Sequence, residues 1–433
     1  MIIGGDVVQV AIAQLCGGPI PYFTPVVFSF GWVTYAVQAM LSAVGDNRLM
    51  PKPEVDCCII NAKSGYLRTN YSWILSRILR DFEYWRHEDV HNEEQLELER
   101  LRIKAAEIAA KTGKEPALVR IGLRVTVLQC LDASGKPHAD FIYLAGFGVA
   151  AVQLGIAAVP WGLYGEWLIF LIVSAGTILA FASGGLPQWQ KEKFGVRNVE
   201  EAKDVFLTRG NGDHDALLIL GYEKGMDLEA LASPYRELSG FPLYVTRALS
   251  LLLASLWILL LLSIAGYEQH TWYMMAAGIL GILHNVLVAG FPRKPRAFGI
   301  DLAYRKTIVD RKVMGTLWKV EKDYPKAGAA LIQEFFPGTL WPREDALWKY
   351  AERRNEAFKN AKKAYEKALA IGSPANMPVI WQSMPPLERP EGADNDADIP
   401  ASGEYQPPAN VLNGTAYAQV QPVGGTGSGH QIV

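Results

Sequence analysis

The stretch TRGNGDHDALLILG, residues 208–221, gathers Asp213, His214 and Asp215 side by side, the residue types that acid–base and metal chemistry use. Two readings compete for it. As G-x-G-D it matches the pattern with which an intramembrane aspartyl protease presents an acid, and as D-x-D the pattern with which a glycosyltransferase grips a divalent cation through carboxylate oxygens. The protease needs its Asp inside an apolar helix, facing a second intramembrane Asp, so that a shared low-dielectric pocket splits their pKa values. Asp213 lies outside every apolar stretch of the chain, and none of those stretches holds an Asp. The metal grip needs a strand that ends at the first Asp of a nucleotide-binding fold. Here Asp213 follows the turn residues Gly210, Asn211 and Gly212, and no Gly-rich phosphate loop accompanies it. A polar hairpin turn is the expectation. Asp213, His214 and Asp215 stay as weak metal candidates, no catalytic residue is assigned, and no cofactor is expected.

The elements around that turn follow from hydropathy. Five windows, 22–44, 141–159, 163–183, 248–266 and 272–291, approach the roughly 20 apolar residues that cross a hydrocarbon core of about 30 Å. The last four pair into hairpins, 141–183 and 243–291, with short turns at Pro160–Gly162 and Tyr267–Thr271. The chain therefore reads as a multi-pass membrane α-helical protein with about five transmembrane helices. Within the spans, His284 and Asn285 are the leading polar candidates. They are expected to bond between helices rather than to contact a substrate. A net charge of −2 gives no sign of nucleic acid, and the partners expected are the lipid bilayer and other proteins.

Basic residues set the orientation. None of the first 47 residues is Lys or Arg, nor is any in the turns 160–166 and 267–271, while 48–140, 184–247 and 292–389 hold them all. With five spans, the positive-inside rule puts the N-terminal segment 1–21 outside or in a lumen and the C-terminus in the cytosol. Cys57 and Cys58, just beyond the first span, are candidates for lipidation, although small buried residues of a strand is the favoured reading.

The inside loops 45–140 and 184–242 are long enough to fold. RTNYSWILSRILRDFEYW carries Ile74, Leu75, Ile78, Leu79, Phe82 and Trp85 at helical spacing, with Arg77 and Arg80 on the polar side. LVRIGLRVTVLQC alternates as a half-buried strand, and 55–61, 204–209 and 215–222 read as its partners, so a small α+β cytosolic domain is expected from the two loops. The segment 292–371 reads as a helical tail ending in a long helix between Pro342 and Gly372, and 372–433 as disordered.

CCIINAKSGYLRTNYSWILSRILRDFEYW, FLTRGNGDHDALLILG and MDLEALA, set between hairpins that end GGLPQW and GFPRKPRAFG, resemble a functionally uncharacterised family of multi-pass membrane proteins of filamentous fungi, over about residues 20–345. The resemblance implies a eukaryotic membrane and a recurring architecture, and it implies no reaction. The function expected is a non-enzymatic scaffold or regulator with a cytosolic interaction domain. A transporter or channel component is the alternative, and a membrane enzyme using the Gly210–Asp215 turn comes third.

Overall fold

Pro21, Pro25 and Gly31 decide the first apolar stretch, because each interrupts helix propagation where hydropathy alone sees a span. The computed structural model describes residues 4–45, 48–113, 115, 118–200, 203–221, 225–234 and 241–370. In chain order its helices are α1 (Gly5–Leu15), α2 (Trp32–Val44), α3 (Trp73–Arg80), α4 (Phe82–Trp85), α5 (Glu88–Thr112), α6 (Phe141–Tyr164), α7 (Leu168–Gly184), α8 (Pro187–Phe194), α9 (Leu228–Leu231), α10 (Phe241–Ala265), α11 (Thr271–Gly290), α12 (Val313–Asp323), α13 (Ala327–Phe335) and α14 (Pro342–Ala370). The strands are β1 (Cys58–Asn61), β2 (Leu67–Thr69), β3 (Leu123–Asp132), β4 (Asn198–Val199), β5 (Val205–Thr208), β6 (Asp215–Leu220), β7 (Gly225–Met226) and β8 (Asp301–Asp310). Contacts divide the chain into two compact units, Met1–Thr316 and Leu317 onward.

In the first unit, α6, α7 with α8, α10 and α11 are long and apolar enough to cross a membrane. The expected span 22–44 is corrected. Its only helix is α2, whose 13 residues rise about 20 Å, short of the hydrocarbon core. The residues before it run extended through the interior of the bundle, and polar side chains satisfy that backbone. Gln153 of α6 donates Nε2 to Phe28 O at 2.8 Å, Asn285 of α11 donates Nδ2 to Val27 O at 3.2 Å, Tyr143 donates its hydroxyl to Phe23 O at 3.1 Å, and Trp32 donates Nε1 to Val27 O at 2.8 Å. Irregular backbone at membrane depth survives only when enclosed in this way. Two glycines make the room. A Cβ on Gly146 would overlap Pro25 O, and one on Gly281 would overlap Phe28 O.

The segment 4–44 is folded back on itself. Gln14, near the end of α1, donates to Phe291 O at 2.9 Å, beyond the end of α11. Leu49 N, past the end of α2, donates to Glu192 of α8. Trp32, at the inner tip, lies against Trp257 partway along α10 with ring centroids 5.3 Å apart. The C-terminal ends of α1 and α2 thus lie at the end of the bundle that carries α8, while the start of α1 lies at the inner tip, where Gly4 O faces Gly31.

At that same end lies a six-stranded mixed sheet in the order β2-β1-β5-β6-β3-β8, antiparallel except for the parallel β3–β6 pair. The four strands expected from the loops are all present, and mixed α and β content accompanies the four apolar helices as expected. Two features differ. β3 is not half-buried: Leu123 through Leu128 are buried on both faces, Arg124 and Thr126 included. The tail 292–371, expected to be helical, opens with β8, which pairs with β3 across nearly its whole length. The chain passes through the α6–α7 hairpin between β3 and β5, and through the α10–α11 hairpin between β6 and β8. Sheet and bundle are therefore interwoven along the chain. In the second unit, Trp318 and Trp348 meet edge to face at 5.3 Å, and the buried Glu321 carboxylate accepts from Lys326 N and Ala329 N at 2.8 and 3.0 Å. The expected helix between Pro342 and Gly372 is α14, and the segment 372–433 lies outside the described residues.

Candidate functional site

The residues singled out for chemistry fall in three separate places. Gly210 and Gly212 take positive φ values of 89° and 100° and turn β5 into β6, as a polar hairpin requires. Asp213 Oδ1 accepts from His214 N at 2.9 Å, its own turn. Asp215 lies in β6, where Arg124 of β3 holds it in a bidentate pair, Nε to Oδ1 at 2.6 Å and Nη2 to Oδ2 at 3.0 Å. Arg124 also reaches Glu83 and Glu94 at 2.7 Å each. Burial opposes its charge, but the three carboxylates outweigh burial and raise its pKa above the usual range. Asp213 and Asp215 are thus engaged with the protein itself, and among the described residues no group of three or more His, Cys, Asp or Glu is placed to hold a metal ion.

His284 and Asn285 are buried in α11. Asn285 bonds the extended Val27–Ser29 backbone and the Ser29 hydroxyl, not a neighbouring helix, so the expected helix-to-helix bond is replaced by one that supports irregular chain. Asn285 Oδ1, Gln153 Oε1 and His284 Nε2 have no partner among the described residues. Cys57 and Cys58 are buried, Cys58 in β1 with its thiol bonded to Thr208 O at 3.5 Å. Burial pushes the Cys57 thiol up to about 11. Lipidation needs an accessible thiolate, so packing is the role this geometry gives both residues.

The structure assembles something else where bundle and sheet meet. The side chain of Arg77 in α3, expected on a polar helix face, has no exposed surface. It pairs with Asp81 and Glu54 at 3.1 and 2.8 Å and donates Nη2 to Ala289 O and Phe291 O at 2.9 Å each, capping the end of α11. Arg293 pairs with Asp140 at 2.6 Å and donates to Gln14 O. Asp140 in turn caps α6 by accepting from Tyr143 N at 3.0 Å. Lys193 at the end of α8 spends its ammonium on Ala13 O, Gln14 O and Cys16 O at 2.7, 3.3 and 2.8 Å, the end of α1. Cations at helix C-termini complement the helix dipole, and here each one ties a membrane helix to a neighbouring element. Helical spacing reveals only the Arg77–Asp81 pair, because the other partners are distant in sequence.

Two motifs from separate loops also meet. Asn61, which opens the NAKSGY turn, donates Nδ2 to Glu229 of MDLEALA at 3.0 Å and accepts from Lys63 N and Ser64 N. Burial opposes the Glu229 charge, yet Lys203, Asn61 and Arg68 hold its carboxyl below the usual range. Between this cluster and the end of the bundle lies a cavity of about 320 Å³. Its walls come from Arg48 and Met50, from Tyr71–Ile74 at the start of α3, from the end of α8 with Arg197, and from the end of α9. No protein-family model, curated protein or solved structure matches this chain, so no residue's role comes to it by likeness.

Proposed function

We propose that the chain is an integral membrane protein whose sheet domain faces the cytosol, and that it acts as a non-enzymatic scaffold or regulator, with lipid and cytosolic proteins as its partners. The orientation is supported by charge. The segments that build the sheet end, 48–140 and 184–247 together with the start of 292–389, carry basic residues, while the turns at the other end carry none. Because 4–44 is folded back, the alternation rests on four crossings, and this segment then belongs to the cytosolic half.

The observation that carries the scaffold reading is the filled interior. The extended segment presses on Gly146 and Gly281 where a transporter would need a path, and Arg77, Lys193 and Arg293 fix the helix ends to neighbouring elements. A transporter is the second reading. Broken backbone beside Gln153, Asn285 and His284, with polar atoms left without partners, is the feature that favours it.

Spin labels separate the two. The four native cysteines are buried, so Asn211→Cys and Glu268→Cys, both exposed positions, accept label selectively. Pulsed dipolar spectroscopy in vesicles is expected to give one narrow distance distribution, unchanged by a proton or sodium gradient. A second distance that grows with the gradient would replace the scaffold with a transporter.

A further inference from the structure

The cavity between bundle and sheet has a charge that the scaffold reading does not use. Three cations, Arg48, Lys193 and Arg197, line it against the single carboxylate of Glu192, and that carboxylate already accepts from Leu49 N and Met50 N at 2.9 and 2.6 Å. Lys193 is committed to three carbonyl oxygens, and Arg197 reaches Asp227 at 3.0 Å. Arg48 uses Nη2 on Pro51 O and Tyr71 O, while its Nε is without a partner.

The wall also presents unused N–H groups. Ser72 caps α3 without a side-chain bond, and the amides of the lining residues Trp73 and Ile74 find no acceptor among the described residues. They form a helix N-terminus that favours negative charge. Trp73 is 2% exposed, lines the same cavity, and its indole Nε1 is also without a partner. A guanidinium with an unused N–H, a helix N-terminus and a buried indole donor thus share one small cavity. A neutral apolar ligand would leave all of these unanswered, and a carboxylate offers fewer acceptor oxygens than they can engage.

We propose that this cavity binds a phosphate group, carried by a lipid headgroup or by a small soluble phosphate. Its volume suits a headgroup and excludes acyl chains, which would remain in the bilayer. The inference does not depend on the scaffold reading, because a transporter with the same cavity would bind the same group.

The test uses the full chain. Equilibrium dialysis of radiolabelled inorganic phosphate against protein in detergent probes the soluble source. Nanodiscs of phosphatidylcholine, with and without phosphatidic acid, followed by native mass spectrometry probe the lipid source. Binding in at least one arm is expected, weakened about tenfold or more by Arg48→Gln, as loss of a charge-assisted hydrogen bond requires. If Arg48→Gln does not fold, Arg197→Gln serves, because its side chain is 69% exposed and Lys203, at 3.9 Å, stays beside the buried Asp227 carboxylate. Phosphate retained alone identifies a soluble ligand, and phosphatidic acid retained alone identifies a lipid. Retention of neither, or retention equal in native protein and folded variants, overturns the proposal.

Discussion

Replacing Arg77 with methionine lowers the stability of the folded protein by about 3–5 kcal/mol, the cost of leaving buried charges without their partner. Methionine fills the space of the arginine stem but returns nothing to Asp81, to Glu54 or to the carbonyl oxygens of Ala289 and Phe291. Arg80→Met is the control. Arg80 also pairs with Glu54 and Asp81, but its side chain is 28% exposed, so water replaces part of what is lost and the cost stays near 1 kcal/mol. Chemical unfolding in detergent micelles reads both, and equal losses would mean that Arg77 is not the clamp described here.

Gly281→Ala is the second large effect. The added methyl overlaps Phe28 O and crowds the Gln153 amide, so the extended segment must leave its groove, at about 1–3 kcal/mol. Gly148→Ala and Gly155→Ala, on the same bundle, place the methyl in open space and are expected to be neutral or stabilising by up to about 1 kcal/mol through helix propensity. Thermal unfolding of the three variants gives the comparison. If Gly281→Ala behaves like Gly148→Ala, the irregular segment does not occupy the groove.

Much of the sheet was legible in the sequence because short-range alternation carries it. Val205–Thr208, Asp215–Leu220 and the turn between them could be read directly, and Leu123–Asp132 stood out by its period of two. β8 was hidden because Arg305 and Lys306 interrupt its apolar alternation and its partner β3 lies far away in sequence. The first span was misread for a physical reason. Hydropathy sums transfer energies and does not register that Gln153 and Asn285 supply hydrogen bonds to a backbone that Pro25 and Gly31 keep out of helix. Arg77 reads only as part of a polar helix side, since an amphipathic pattern cannot distinguish a charge in water from one sealed against distant carbonyls. The cavity combines four segments, none of which carries a phosphate motif by itself.

The proposed anchor crosses the membrane four times, with the sheet on the cytosolic side. The native acceptor Asn70-Tyr71-Ser72 cannot report on it, because Asn70 is 5% exposed with its amide donating to Ser72 O at 2.8 Å, and a glycan there is incompatible with the folded domain. Engineered acceptors can. One is placed in the exposed turn at Glu268 and one beside Gly113 at the exposed end of α5. Expressed in a eukaryotic secretory membrane, only the acceptor at Glu268 is expected to shift on endoglycosidase digestion. A glycan beside Gly113 with none at Glu268 would put the sheet in the lumen and contradict the proposed orientation.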